Sequence, residues 1–344
     1  MRASLKLTVA AICAFSGPAF AQNDNFYADK TITIICWSGS GSLYDVNARF
    51  LGRQFSRKLP GNPQVIVRNM TGGGGVIATN HLANAAPKDG TTLAIVARGM
   101  GIEPLLGGEQ TRFDPLKLQW IGSTSPEVSV IAVRSETGVR SLDDLRTREV
   151  AVAGPAPGTD GVTYPNTLNN LLGTRFKIVT GYRSGPEMVL AVERREVEGR
   201  GSWSWASFRT EGAGMLKAGE LNILVQMSLR KSPELPNVPL VMEYAKTDEQ
   251  KKILQLILTG QEMAWPLVAP AETPKERVEL LRKTFLAMLA DDEAKAEAKK
   301  LGLDLEPIAG ADIQKMLQSV YATPPAIVER VRELSGRKKP DAKK

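Results

Sequence analysis

One unit recurs along this chain and leaves few folds open to it: a short apolar run, a turn of small residues, then a helical pattern. Ile32–Trp37 runs into Ser38-Gly39-Ser40-Gly41-Ser42 and then a pattern reaching Leu59. Leu43, Val46 and Phe50 share one side of that pattern, and Leu51, Phe55 and Leu59 repeat every four residues beside them. Ser42 with Asp45 fits the S/T-x-x-D/E capping box, which predicts a helix starting there. The unit returns at Gln64–Met70, Thr71–Gly75 and a pattern through Ile77, Leu82 and Ala86. It returns again at Glu149–Ala153, Gly154–Gly161 and Val162–Leu172, with Gly173 as the stop. Strands alternating with helices predict an α/β fold. A helix start also leaves backbone N–H groups unpaired at the positive end of a dipole, so each such turn is suited to an anion.

The ends of the chain say where it works. Arg2 and Lys6 form a positive n-region, Leu7–Phe15 an apolar run, and Ala19-Phe20-Ala21 a small-x-small site. Residues 1–21 therefore read as a signal peptide cleaved after Ala21, and the mature protein as exported to the periplasm. The apolar run is too short for a stable membrane anchor. Once Cys13 leaves with the signal, Cys36 is the one thiol, and no internal disulfide is possible.

Net charge excludes another class. The chain carries +7, and removing Arg2 and Lys6 leaves +5. Gly336–Lys344 holds five cations against Asp341, so residues 22–335 keep only +1. A nucleic-acid protein needs a basic patch on its folded body, so that partner is not expected. Residues 336–344 read as a disordered basic tail.

The intervening pattern suggests two lobes. Gln119–Ser125 followed by Val128–Val133 marks a crossing between them, and Leu221–Ser228 reads as the returning strand. Lobe 1 is then 22–125 with 229–335, and lobe 2 is 126–228. Ser141–Asp144 looks like a helix start. Thr273-Pro274-Lys275-Glu276 opens a helix to about Leu289, and Asp291–Leu301, Asp312–Tyr321 and Pro325–Leu334 complete a helical C-terminal region.

Catalytic chemistry is poorly supplied. A dinucleotide fingerprint starting at Gly39-x-Gly41 fails because position 44 is Tyr, and neither Gly-rich turn ends in the lysine of a P-loop. The single histidine, His81, sits inside a predicted helix. Cys36 lies in a strand and reads as a buried structural thiol. Ser228-x-x-Lys231 lacks the companion Lys-Thr-Gly, and no Cys/His cluster has metal-ligand spacing, so neither metal nor cofactor is expected. Anion recognition is better supplied. The turns at 38–42, 71–75, 98–101 and 157–161 offer N–H groups, and Ser40, Ser42, Thr159 and Ser202 offer hydroxyls. Arg98, after a strand, and Arg183, before a helix, are candidate carboxylate clamps. Trp37 and Trp203 are candidate walls.

With these motifs in order, the chain resembles the TctC-like solute receptors of tripartite tricarboxylate transporters, the Bug family. The residues that carry the likeness are Gly41-Ser-Leu-Tyr-Asp45 with Arg49, Pro60-Gly-Asn-Pro63, Val65-x-Val67-x-Asn69-Met70 and the Gly72–Gly75 turn. Ala86-Pro-Lys-Asp-Gly-Thr91, Gly158-Thr-Asp-Gly161, Tyr182 before Ser184-Gly185, and Glu196-Val-Glu-Gly199 extend it over nearly the whole mature chain. The resemblance implies a two-lobed periplasmic binding protein, type II-like, with lobes joined by two crossing strands and closing on a small ligand. It implies carboxylate contacts from Ser40, Gly41, Ser42 and Asp45, with the Gly73–Gly74 and Arg98 turns nearby. Gly158, Thr159, Asp160 and the Ser202–Trp203 turn are implied on the other lobe. Ser42 replaces the usual second glycine of the first turn.

The function expected is capture of a small organic acid by a monomer, and its delivery to inner-membrane permease subunits. Two alternatives stand beside it: an exported hydrolase-like enzyme that uses acidic residues, and a receptor that signals to a membrane kinase.

Overall fold

The computed structural model describes residues 25–108 and 110–337; the expected signal peptide lies outside the described residues. In chain order, the first strands and helices are β1 (Thr31–Cys36), α1 (Leu43–Lys58), β2 (Gln64–Asn69), α2 (Val76–Asn84) and β3 (Thr92–Ile95). Then come β4 (Gln119–Ser123), β5 (Ser129–Arg134), β6 (Val150–Gly154), α3 (Asp160–Leu172), β7 (Phe176–Thr180), α4 (Gly185–Glu193) and β8 (Gly199–Ser204). They are followed by α5 (Trp205–Glu211), α6 (Ala213–Lys217), β9 (Leu221–Met227), α7 (Asp248–Leu258) and β10 (Pro266–Ala269). The chain closes with α8 (Lys275–Ala290), α9 (Asp292–Lys300), β11 (Ile308–Ala309), α10 (Gly310–Tyr321) and α11 (Pro325–Leu334).

Two mixed sheets result. One has the order β11-β4-β10-β3-β1-β2, the other β7-β6-β8-β5-β9. In the first, β1 runs parallel to β2 and β3, and Cys36 stands level with both Asn69 and Ile95. The turns leaving β1 and β3 therefore emerge on one edge. In the second, β6 runs parallel to β7 and β8. Ligands of open α/β sheets bind outside the carboxyl ends of such parallel strands. The two-lobed α/β architecture expected from the sequence is the one observed.

The α1 helix begins as its capping residues dictate. Ser42 Oγ accepts the Asp45 N–H at 3.2 Å, and Asp45 accepts the Gly41 N–H at 3.0 Å. The carboxylate thus reaches one residue further back than a reciprocal box requires. Phe50, Leu51 and Phe55 are fully buried on the face of α1 that covers the first sheet, in one cluster with Ile32, Ile34 and Phe285. Cys36 is sealed in this layer, and burial pushes its thiol pKa up to about 12. A thiol reagent is expected to leave Cys36 unlabelled for hours in the native protein and to modify it fully in denaturant. Rapid native labelling, read on the Cys36 peptide by mass spectrometry, would refute this packing.

Several expectations need correcting. Leu221–Met227 does not cross between sheets: it pairs antiparallel with β5 along its whole length. The chain returns to the first sheet at β10, a four-residue strand too short to be read as one, between β3 and β4. Nor is 229–335 confined to the first sheet. Helix α11 lies on α7 and on α3 of the second sheet, and Val328, Val331 and Leu334 share a core with Leu168, Leu254 and Ile257. The helix start read at Ser141–Asp144 yields only a single 3-10 turn at Asp144–Arg146. The start of the expected basic tail is anchored: Arg337 makes a bidentate ion pair with buried Glu103, both bonds at 2.7 Å.

Candidate functional site

A cavity of about 110 Å³ lies where the strand-to-helix turns of both sheets meet. One water needs roughly 10–15 Å³ by this measure, so a small organic molecule fits. The first sheet supplies Trp37, Ser38, the α1 start at Ser42–Tyr44, and Ala97–Gly99 after β3. The second supplies Gly158–Gly161 at the start of α3, Arg183–Gly185 at the start of α4, and Arg200, Ser202 and Ser204 along β8. The lips touch: the Gly39 N–H donates to the Arg183 carbonyl at 3.4 Å.

Three helices of nine residues or more point their N-termini here. Ser42 and Ser184 cap α1 and α4, each accepting one N–H, while Thr159 makes no side-chain cap on α3. The N–H groups of Leu43, Tyr44, Gly161 and Gly185 find no hydrogen-bond partner among the described residues. They are the orphan donors every helix start leaves, gathered at one place with the positive ends of the dipoles.

Of the residues picked from sequence, Trp37, Ser42, Arg98, Gly158, Thr159, Asp160, Arg183 and Ser202 line the cavity. The others do not reach its wall. Ser40 is exposed on the turn. The Gly41 N–H and the Asp45 carboxylate are taken up with each other, and Asp45 also binds Arg49 and Asn69. Burial works against the Asp45 charge, but these hydrogen bonds outweigh it and hold the carboxyl below the usual carboxylate range. Gly73 faces a different hollow, beside Val76 and Glu103. Gly74 has a positive φ of +63°, and a Cβ there would come within 2.7 Å of Thr159 Cγ2, so the two turns abut directly. Trp203 is wholly buried beneath the cavity, edge-on to Phe208, with its Nε1 donating to Glu211.

Arg98 is present but largely committed. Its Nε donates to the Tyr44 hydroxyl at 3.2 Å, its Nη1 to Gln261 Oε1 at 2.7 Å, and its Nε stands 3.5 Å from Asp160. Its Nη2 makes no hydrogen bond among the described residues. Gln261, fully buried, then donates to Tyr164 at 2.7 Å and to Ser129 at 3.0 Å. One network thus ties the turn after β3 to the second sheet. Asp160 keeps 23% of its side-chain surface open yet lies deep in the fold. Burial raises its pKa, and Arg98 opposes the rise. The Arg183 guanidinium is exposed at the rim and has no ion-pair partner among the described residues.

Sequence reading missed Arg200, Glu211, Gln261 and Trp265. Arg200 is 6% exposed, and its Nε is buried without a partner. Trp37 carries the matching orphan on the first sheet, a buried Nε1 with no acceptor. A register shift in β8 sets Arg200 and Trp203 on one face, opposite Ala132 and Val130 of β5, so strand alternation gave no signal for Arg200.

Known proteins share this fold. Residues 48–332 match the TctC family model, described as the tripartite tricarboxylate transporter family receptor; the match begins inside α1, after the first turn. The chain belongs to that family, and is therefore a solute-binding receptor of the periplasm rather than an enzyme. It is similar to the UPF0065 protein of the tcbD-tcbE intergenic region of Pseudomonas sp. (strain P51), with 27% identity over 299 residues, 82% of this chain and 81% of that one. The fold is also that of the periplasmic binding protein BugD, with a TM-score of 0.72 at 20% identity, covering 91% of this chain and all of that one. R. palustris Rpa4515, solved with adipate, gives a TM-score of 0.70 at 22% identity and covers 89% of this chain and 97% of that one.

Proposed function

We propose that the cavity holds a small organic acid and that the receptor delivers it to a tripartite tricarboxylate transporter-type permease. The observation that carries the reading is the convergence of three helix N-termini, with unpartnered N–H groups, on one cavity. Arg98, Arg183 and Arg200 add positive charge, and the buried Trp37 Nε1 adds a donor that a guest oxygen would satisfy. The adipate bound to the R. palustris neighbour supports a carboxylate guest. Delivery to a permease rests on the family description, and cross-linking to those subunits in native membranes tests it.

Binding to the folded state alone is expected to raise stability by about 2.7 kcal/mol at a hundredfold excess over Kd. Thermal unfolding with a panel of mono- and dicarboxylates, on protein refolded to strip carried-over ligand, reads this directly. Replacing Trp37 by Phe keeps an aromatic ring on the wall and removes the donor, and affinity should fall roughly tenfold. No shift with any acid would sink the proposal.

A further inference from the structure

The charge pairing within the cavity decides what charge its guest carries. The wall holds three cations, Arg98, Arg183 and Arg200, and two carboxylates, Asp160 and Glu211. Arg98 and Asp160 stand 3.5 Å apart. Arg200 Nη1 donates to Glu211 Oε2 at 3.3 Å, and its Cζ lies 4.5 Å over the Trp203 ring. Trp203 Nε1 donates to the same Glu211 oxygen at 3.2 Å. The two arginines share no partner, so they define separate subsites. Three cations against two carboxylates leave one positive charge, on Arg183 at the rim.

The Arg200 subsite is rich in donors yet electrically balanced. Its Nε is buried and unpartnered, and its Nη2 makes no hydrogen bond among the described residues. Burial lowers its pKa to about 10, which still leaves it charged at neutral pH, beside a carboxylate. Glu211 also answers the α4 N-terminus, since a Cβ on Gly185 would lie 3.4 Å from its Oε1. A second anion placed here would stand against Glu211 in a dry site, where like charges repel strongly. A neutral oxygen would meet only donors. The wall also carries the apolar side chains Trp37, Trp265, Leu43 and Met188.

We infer that the guest is a monocarboxylate with a neutral acceptor at its far end, a ketone, amide or hydroxyl oxygen that takes its hydrogen bonds from Arg200. The carboxylate sits at the Leu43, Tyr44 and Gly161 N–H groups, and the apolar body lies between. This rests on the organic-acid reading of the same cavity, and it separates this receptor from dicarboxylate binders that share its fold.

Matched pairs test it by titration calorimetry on the stripped mature protein: 5-oxohexanoate against glutarate, and 4-acetylbenzoate against terephthalate. Each pair exchanges a methyl ketone for a carboxylate at nearly constant shape. Pentanoate and benzoate serve as acids lacking the far oxygen. In the pair whose length suits the cavity, the ketone is expected to bind at least roughly tenfold tighter than both its diacid and the plain acid. Glu211→Gln keeps an oxygen for Trp203 and removes the charge, so the affinity of the diacid relative to its ketone should rise roughly tenfold. A diacid that equals or beats its ketone on the natural protein overturns the inference and leaves the organic-acid reading standing. A ketone no better than the plain acid also overturns it. Absence of binding by every probe overturns both.

Discussion

Replacing Arg98 by methionine is expected to lower the unfolding free energy by about 3–5 kcal/mol, because it strands a carboxylate that the fold keeps from water. Arg98 is 6% exposed and holds Tyr44, Gln261 and Asp160 at once. The aliphatic stem stays, so the loss reports charge and hydrogen bonds rather than volume. Adding Asp160→Asn removes the stranded charge and should return about 1–3 kcal/mol, a coupling that unrelated sites would not show. The pH dependence has a defined sign. Asp160 is held above its unfolded value by burial, and loss of Arg98 raises it further. An acid with a raised folded pKa loses stability as pH climbs from its unfolded value, near 3.9, through the folded one. The Arg98→Met defect should therefore be smaller near pH 4 than at pH 7. Urea unfolding at both values, followed by tryptophan fluorescence, measures it. Equal defects at both pH values, or a double variant no better than the single, would show that Asp160 is not the stranded group.

Gly201→Ala is expected to cost about 1–3 kcal/mol of stability by overpacking, and to weaken ligand binding more than tenfold by displacing the first turn of α3. A Cβ at Gly201 would meet the Gly161 carbonyl oxygen, and would lie 2.7 Å from Pro165 Cγ. Pro165 inside α3 brings no N–H for that carbonyl, so strand and helix approach there without a helical hydrogen bond between. Gly161 itself lines the cavity, so the strain arrives at a ligand-facing N–H. Gly214→Ala is the control: nothing lies within 4 Å of a Cβ there, and stability should hold or rise by ~0.4–1 kcal/mol. Calorimetric Kd values with denaturant midpoints separate the two effects. Unchanged affinity in Gly201→Ala would place the cavity elsewhere than at the α3 start.

Much of this was legible along the chain. The N-cap at Ser42, the buried face of α1 through Phe50, Leu51 and Phe55, and the α3 stop at Gly173 all follow from local rules. The turns at 38–42, 98–101 and 157–161 were picked because a strand feeding a helix through small residues exposes N–H groups. Each sends residues to the cavity wall. Asp45 bonds Arg49 and Asn69 in place of the cavity, and a carboxylate in the first turn of a helix reads alike in sequence whichever way it faces. Arg200 left no local signal, because a bulge in β8 puts it on the same face as Trp203, where strict alternation would have separated them.

The amino-acid order determined the α/β class, the helix starts and the anion-ready turns, since capping, periodicity and backbone donors are properties of consecutive residues. Tertiary structure alone decided which turns face one another and how four of the five charged side chains on the cavity wall pair. It also set the strand order, placing β10 between β3 and β4, and the bridging of the sheets by Gln261, 97 residues from Tyr164 in sequence. Ion pairing and burial depend on distance in space, and no local rule fixes the distance between residues that far apart.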